Sequence, residues 1–187
     1  NNTLTRASDN SFYVLTWSDP LGHASNDYDL FVLNSTLTSV IASSTNIQKG
    51  GQDPFEEIDD SQSRIPDGSR IVILNGNGAA AKRSLYLSTE GGVLSVGTNG
   101  AIYGHPTASG AIAVAAADTH NANGGAFTGG PANPVEDFSS DGPRRQVYNP
   151  DGTAITPGNF LASSNGGKVV NKPDLTAADG VTTGVHG

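Results

Sequence analysis

The chain has 187 residues, 35% of them hydrophobic and 15% charged, and carries a net charge of −8. It has no cysteine, which excludes disulfides, thiolate metal sites and a cysteine nucleophile. The acidic balance disfavours nucleic-acid phosphates and anionic lipid as partners, and no apolar run approaches membrane-spanning length.

Twenty-four glycines and ten prolines punctuate the sequence, favouring short strands and polar loops over long helices. The first strand is expected at Phe12-Tyr13-Val14-Leu15-Thr16-Trp17, closed by Ser18-Asp19-Pro20. Trp17, the single tryptophan, reads as core because it shares a strand face with Tyr13 and Leu15. Further strands are expected at 28–33, 39–43, 70–74, 83–88 and 92–96. The acidic run Asp53 to Asp60 reads as a solvated loop, and Glu56 and Glu57 have no aromatic platform that would suit a sugar. Short strands at regular intervals with no helical period predict a mainly β fold, a jelly-roll-like antiparallel β-sandwich over residues 1–98.

Within this half, Asn26-Asp27-Tyr28-Asp29 places two carboxylates two residues apart at a strand start, so that both face one side. Asp19 lies just before the preceding loop. Asp19, Asp27 and Asp29 are therefore the candidate ligands for Ca²⁺, which takes roughly six to eight hard oxygens. The competing reading is that these carboxylates cap turns and the strand.

After residue 98 the pattern changes. Ala111 to Ala117 is small and apolar throughout, as in a buried strand or a tightly packed helical turn. Residues 119–170 are rich in Gly, Asn, Pro and Ser, with little to anchor them. Two further segments follow in order, Phe138-Ser139-Ser140-Asp141-Gly142-Pro143 and Lys172-Pro173-Asp174-Leu175-Thr176-Ala177-Ala178-Asp179-Gly180-Val181.

Together with Ala111–Asp118, these segments resemble the closing framework of the subtilisin-like serine proteases, over roughly residues 105–187. Two departures stand out. Ala178-Asp179-Gly180 replaces the usual Ala-Pro-Gly, and the stretch Arg144 to Val170 is longer than the common form. The resemblance implies that residues 99–187 are a loop-rich part of an α/β catalytic core, into which residues 1–98 are inserted. It also implies a secreted parent, extracellular or periplasmic, that hydrolyses peptide bonds in a protein or peptide substrate. Asp179 would then shape a turn beneath the active site.

The family's catalytic signatures are an Asp-x-Gly strand end, a His-Gly-Thr helix start and Gly-Thr-Ser-x-Ala, and the sequence contains none of them. His186-Gly187 resembles the second only superficially, and His23, His105 and His120 read as loop histidines. Asn1 and Asn2 lack the flanking motif of an oxyanion-hole asparagine. With no Met at position 1, the expectation is that the chain does not begin a natural reading frame. The expectation is thus a piece without the catalytic triad, whose natural partner is the remainder of the core. The rival expectations are a calcium-dependent carbohydrate-binding or adhesion sandwich, and a pseudoprotease scaffold.

Overall fold

The structure, a computed structural model, describes residues 1–8, 11–62, 64–76, 78–119 and 133–181. Among these the protein is mainly β, and its helical turns are short 3₁₀ segments. Among the described residues no helix is long and apolar enough to cross a membrane. Two compact units form, Asn1–Gly97 with Gln146–Lys168, and Thr98–Arg145 with Val169–Gly187.

The first unit holds eight strands: β1 (Asn2–Arg6), β2 (Phe12–Trp17), β3 (Tyr28–Leu33), β4 (Val40–Ser44), β5 (Phe55–Asp59), β6 (Arg70–Asn75), β7 (Leu85–Ser88) and β8 (Val93–Leu94). They form a five-stranded sheet, β4-β3-β6-β1-β8, and a three-stranded sheet, β5-β2-β7. Pairing runs from the outside in: β1 with β8, β2 with β7 and β3 with β6, all antiparallel. A hydrogen bond from Ser44 to Glu56 links β4 to β5. This nesting is that of a long antiparallel ribbon folded over into two sheets, a jelly-roll-like sandwich.

Period-2 alternation builds the core. Tyr13, Leu15 and Trp17 point inward from β2, and Tyr28, Leu30 and Val32 from β3. Leu4, Ile58, Ile65 and Ile71 complete the cluster. Trp17 meets Tyr28 edge-on at 5.3 Å between ring centroids, so the tryptophan is core as expected. Each such side chain contributes about 1.5–3 kcal/mol by leaving water.

Two strands of the first unit escaped the sequence reading. In β1, Asn-Thr-Leu-Thr-Arg offers a single inward apolar residue, Leu4. The acidic run expected to be a solvated loop is instead β5, with Glu56 and Ile58 buried and Phe55 and Glu57 exposed. Charge masked the alternation, because the inward glutamate is held by side-chain and backbone donors.

Residues 146–168, grouped by the sequence reading with the second segment, pack within the first unit. Tyr148 stacks on Phe160 at 5.8 Å, and its hydroxyl donates to the Ser18 carbonyl at 3.2 Å. Ser18 Oγ in turn donates to the Phe160 carbonyl at 2.7 Å.

The second unit is built on β9 (Val114–Asp118) and β12 (Leu175–Asp179). These run parallel, with Leu175 opposite Val114 and Asp179 opposite Asp118. The short strands β10 (Arg144–Gln146) and β11 (Lys168–Val170) form a separate two-stranded sheet.

Candidate functional site

The three aspartates expected to bind a cation do not act together. Asp19 is 4% exposed and its carboxylate is fully engaged. It accepts from the backbone N–H groups of Ser25 and Asn26, from Asn26 Nδ2 and from Arg83 Nε, the last at 2.5 Å. Burial raises its pKa, but the Asn26 amides and the Arg83 guanidinium outweigh burial and hold it below the ordinary 3.8. This is a neutralised ion pair that closes the Asp19–Asn26 loop, with Arg83 also lying over the Phe160 ring at 4.7 Å.

Asp27 and Asp29 converge, as their spacing predicts. Both flank Gly76: a β-carbon there would lie 2.7 Å from Asp27 Oδ2 and 3.1 Å from Asp29 Oδ1. Asp27 is 6% exposed, and its Oδ1 accepts the Gln48 backbone N–H at 3.0 Å. Burial pushes the Asp29 carboxyl above the ordinary 3.8, and the charges of Asp27 and Glu56 push it the same way. Because the folded state then binds protons more readily than the unfolded chain, this group lowers stability as pH rises from 3.8 through its raised value.

Two neighbours complete the cradle, and neither carried a local sequence signal. Glu56 is fully buried and accepts from Ser44 Oγ, Asn46 N, Asn46 Nδ2 and Gln48 Nε2. Gln48, 3% exposed, spans Asp27 and Glu56, donating to each, yet its own Oε1 has no hydrogen-bond partner. An unpaired buried acceptor costs about 1–3 kcal/mol. Among the described residues no Lys or Arg pairs with Asp27, Asp29 or Glu56. Nor do three or more His, Cys, Asp or Glu side chains group to hold a metal, so a cation here would rest on two carboxylates and neutral oxygens.

In the second unit, the three motif segments meet. Ala113 N–H donates to Asp174 Oδ2 at 2.8 Å, and Lys172 Nζ bridges that same oxygen and the Ala111 carbonyl. Ala116 N–H donates to Ser139 Oγ at 2.9 Å, tying the Phe138–Pro143 segment to β9. Gly142 packs so closely on the Lys172 carbonyl that a β-carbon has no room. Asp141 Oδ1 accepts from the Gly100 and Ala101 N–H groups at 3.0 and 2.9 Å, tying this segment to the chain about forty residues upstream. Residues 137–139 form a turn, closed by the Ser139 N–H donating to the Glu136 carbonyl at 2.9 Å.

A cavity of about 520 Å³ opens beside β9, lined by Ile102, Tyr103, Ile112, Val114, Phe138 and Pro173 among others. His105, Ser139 and Ser140 also border it, and no hydrogen bond links the histidine to either serine. Ile112 and Phe138 are 76% and 72% exposed, and all five residues of β12 are exposed.

The remaining candidates have ordinary roles or lie elsewhere. Asn2 clamps β1 to the chain after β8 through Val96 and Ser95. His23 and His105 are exposed, while His120 and His186 lie outside the described residues. Asp179 is exposed, and its carbonyl accepts from Thr119 N–H at 3.0 Å. No known protein family, curated protein or solved structure matches the chain.

Proposed function

We propose that the chain is part of a secreted subtilisin-like serine endopeptidase, that it holds none of the three catalytic groups, and that its sandwich shapes the access of protein substrates to the parent's cleft. One observation carries this reading. Three segments read from sequence as the closing framework of such an enzyme, separated by up to about sixty residues, interlock residue by residue in one unit. The lysine, aspartate, serine and glycine of those motifs each have a packing or hydrogen-bonding reason for being there. A second feature agrees with it. Parallel strands are normally covered on both faces, whereas β12 and the apolar rim of β9 stand open, as they would where further core elements pack. An adhesion or sugar-binding module accounts for the sandwich alone. It leaves the motif unit without a purpose and has no exposed tryptophan to offer a sugar.

Purified residues 1–187 are expected to show no hydrolysis of a general protein substrate and no labelling by a fluorophosphonate, whereas the full-length protein does both. Inhibitor-sensitive turnover by the pure 187-residue chain would overturn this reading.

A further inference from the structure

We propose that the outward face of the three-stranded sheet β5-β2-β7 is the surface by which the sandwich captures protein substrates, and that it takes extended segments in which Lys or Arg alternates with apolar residues. The inference rests on the peptidase reading, which supplies the substrate; the face itself belongs wholly to the sandwich.

Residues directly opposite across antiparallel strands share a face of the sheet. Thr16 stands opposite Phe55 on one side and Tyr86 on the other. Val14 stands opposite Glu57 and Ser88, and Phe12 opposite Asp59. The alternate residues Tyr13, Leu15, Trp17 and Ile58 form the core, so this set points away from it. The outward face of such a sheet is normally polar. Here the central strand presents Phe12 and Val14, and Phe12 and Phe55 are 38% and 41% exposed. Phe55 and Tyr86 lie two strand spacings apart, about 10 Å, with only a threonine between them, which leaves a shallow trough across β2. One end of the face is closed. Ser18 Oγ donates to the Phe160 carbonyl and Ser84 Oγ accepts from the Ala162 N–H, so the 146–168 segment caps the sheet beyond Thr16 and Tyr86.

Charge selects the occupant. Exposed Glu57 and part-buried Asp59 line the β5 margin, and none of the outward positions of the three strands holds Lys or Arg. Residues 1–97 as a whole carry eleven acidic and six basic side chains. An apolar strip with carboxylates along one margin complements an extended chain whose apolar and cationic side chains alternate. A second copy of this face fits less well, since a self-complementary contact brings its own carboxylates into the same patch. A sugar fits less well too, because Phe12, Val14 and Phe55 offer its hydroxyls no hydrogen bond. Apolar patches with a polar margin mark interaction sites.

The test follows, by fluorescence anisotropy, a short labelled peptide in which Lys alternates with Leu and Phe, mixed with the 187-residue chain. Saturable binding is expected, with none of the same peptide carrying Glu for Lys and none of a soluble β-glucan. Glu57→Lys reverses an exposed charge and Thr16→Arg fills the trough with a cation, so each should weaken binding roughly tenfold with the melting temperature unchanged. Raising salt from about 0.1 to about 1 M should weaken binding to the parent chain far more than to Glu57→Lys. In the full-length protein, Glu57→Lys should raise KM for unfolded, alkylated lysozyme, a basic chain, roughly fivefold and leave a short chromogenic peptide unaffected. Absence of saturable binding, equal binding by either variant, a preference for the glucan or the acidic peptide, or an unchanged KM would overturn the proposal. Binding is read on the chain without catalytic groups, so it survives if the full-length protein hydrolyses nothing, and its loss leaves full-length turnover intact.

Discussion

Arg83→Ala should lower the stability of the sandwich by about 3 kcal/mol, a fall in melting temperature of roughly 10 °C. The loss comes less from the attraction removed than from the charge left behind. Asp19 has a side chain 1% exposed, and Arg83 is its ion-pair partner. Without the guanidinium, a buried carboxylate keeps only the amide donors of Ser25 and Asn26. The contact of the guanidinium face with Phe160 is lost as well, and with it part of the anchoring of the 146–168 excursion. Arg83→Lys should fall between the two, since an ammonium has neither the flat face nor the fork. The mechanism also predicts a partial rescue: adding Asp19→Asn to Arg83→Ala should recover stability, because a neutral amide leaves no orphaned charge. The pH dependence follows from the same pair. Asp19, held below 3.8, contributes stability that is present above that value and is lost as pH falls through its depressed pKa, and Arg83→Ala should flatten this acid limb. Urea denaturation at several pH values reads all of these, and an Arg83→Ala variant within about 0.5 kcal/mol of the parent would refute the assignment.

Gly142→Ala should disrupt the second unit by about 3 kcal/mol while leaving the sandwich intact. The added methyl meets the Lys172 carbonyl oxygen, and a main-chain atom cannot rotate away as a side chain would. That carbonyl leads directly into Pro173, Asp174 and β12, so relief by displacement breaks the Ala113–Asp174 hydrogen bond and the β9–β12 register. Amide exchange in β9 and β12 should speed up roughly 100-fold, with no change in β2 or β3. Gly110→Ala is the control, since nothing lies within 4 Å of a β-carbon at that position. Equal exchange in both variants would show that the motif packing is not what holds this unit together.

These two sites mark how far the sequence could be read. β2 and β3 were legible because Tyr13, Leu15 and Trp17, and Tyr28, Leu30 and Val32, alternate cleanly with outward residues. β5 was not, because its inward residue is a glutamate whose donors come from residues 44–48 on another strand and loop. The convergence of Asp27 and Asp29 followed from their spacing, whereas the exclusion of Asp19 depended on Arg83, 64 residues away. Gln48 was unremarkable in sequence, since an orphaned amide oxygen exists only once the chain is folded around it. The space that Gly76 leaves shows only against the carboxylates of Asp27 and Asp29, from the loop before β3 and from β3 itself. In the second unit the motifs were readable as strings. Their mutual packing required the long-range pairing of β9 with β12, which no local pattern encodes.

The central claim, that this chain belongs to a subtilisin-like peptidase and carries framework rather than catalytic groups, is tested most directly by reading the coding sequence on both sides of residues 1–187. The account predicts a Gly-Thr-Ser-x-Ala nucleophile segment shortly downstream of Gly187, with Asp-x-Gly and His-Gly-Thr segments upstream of Asn1. A stop codon or unrelated sequence in those places would contradict it.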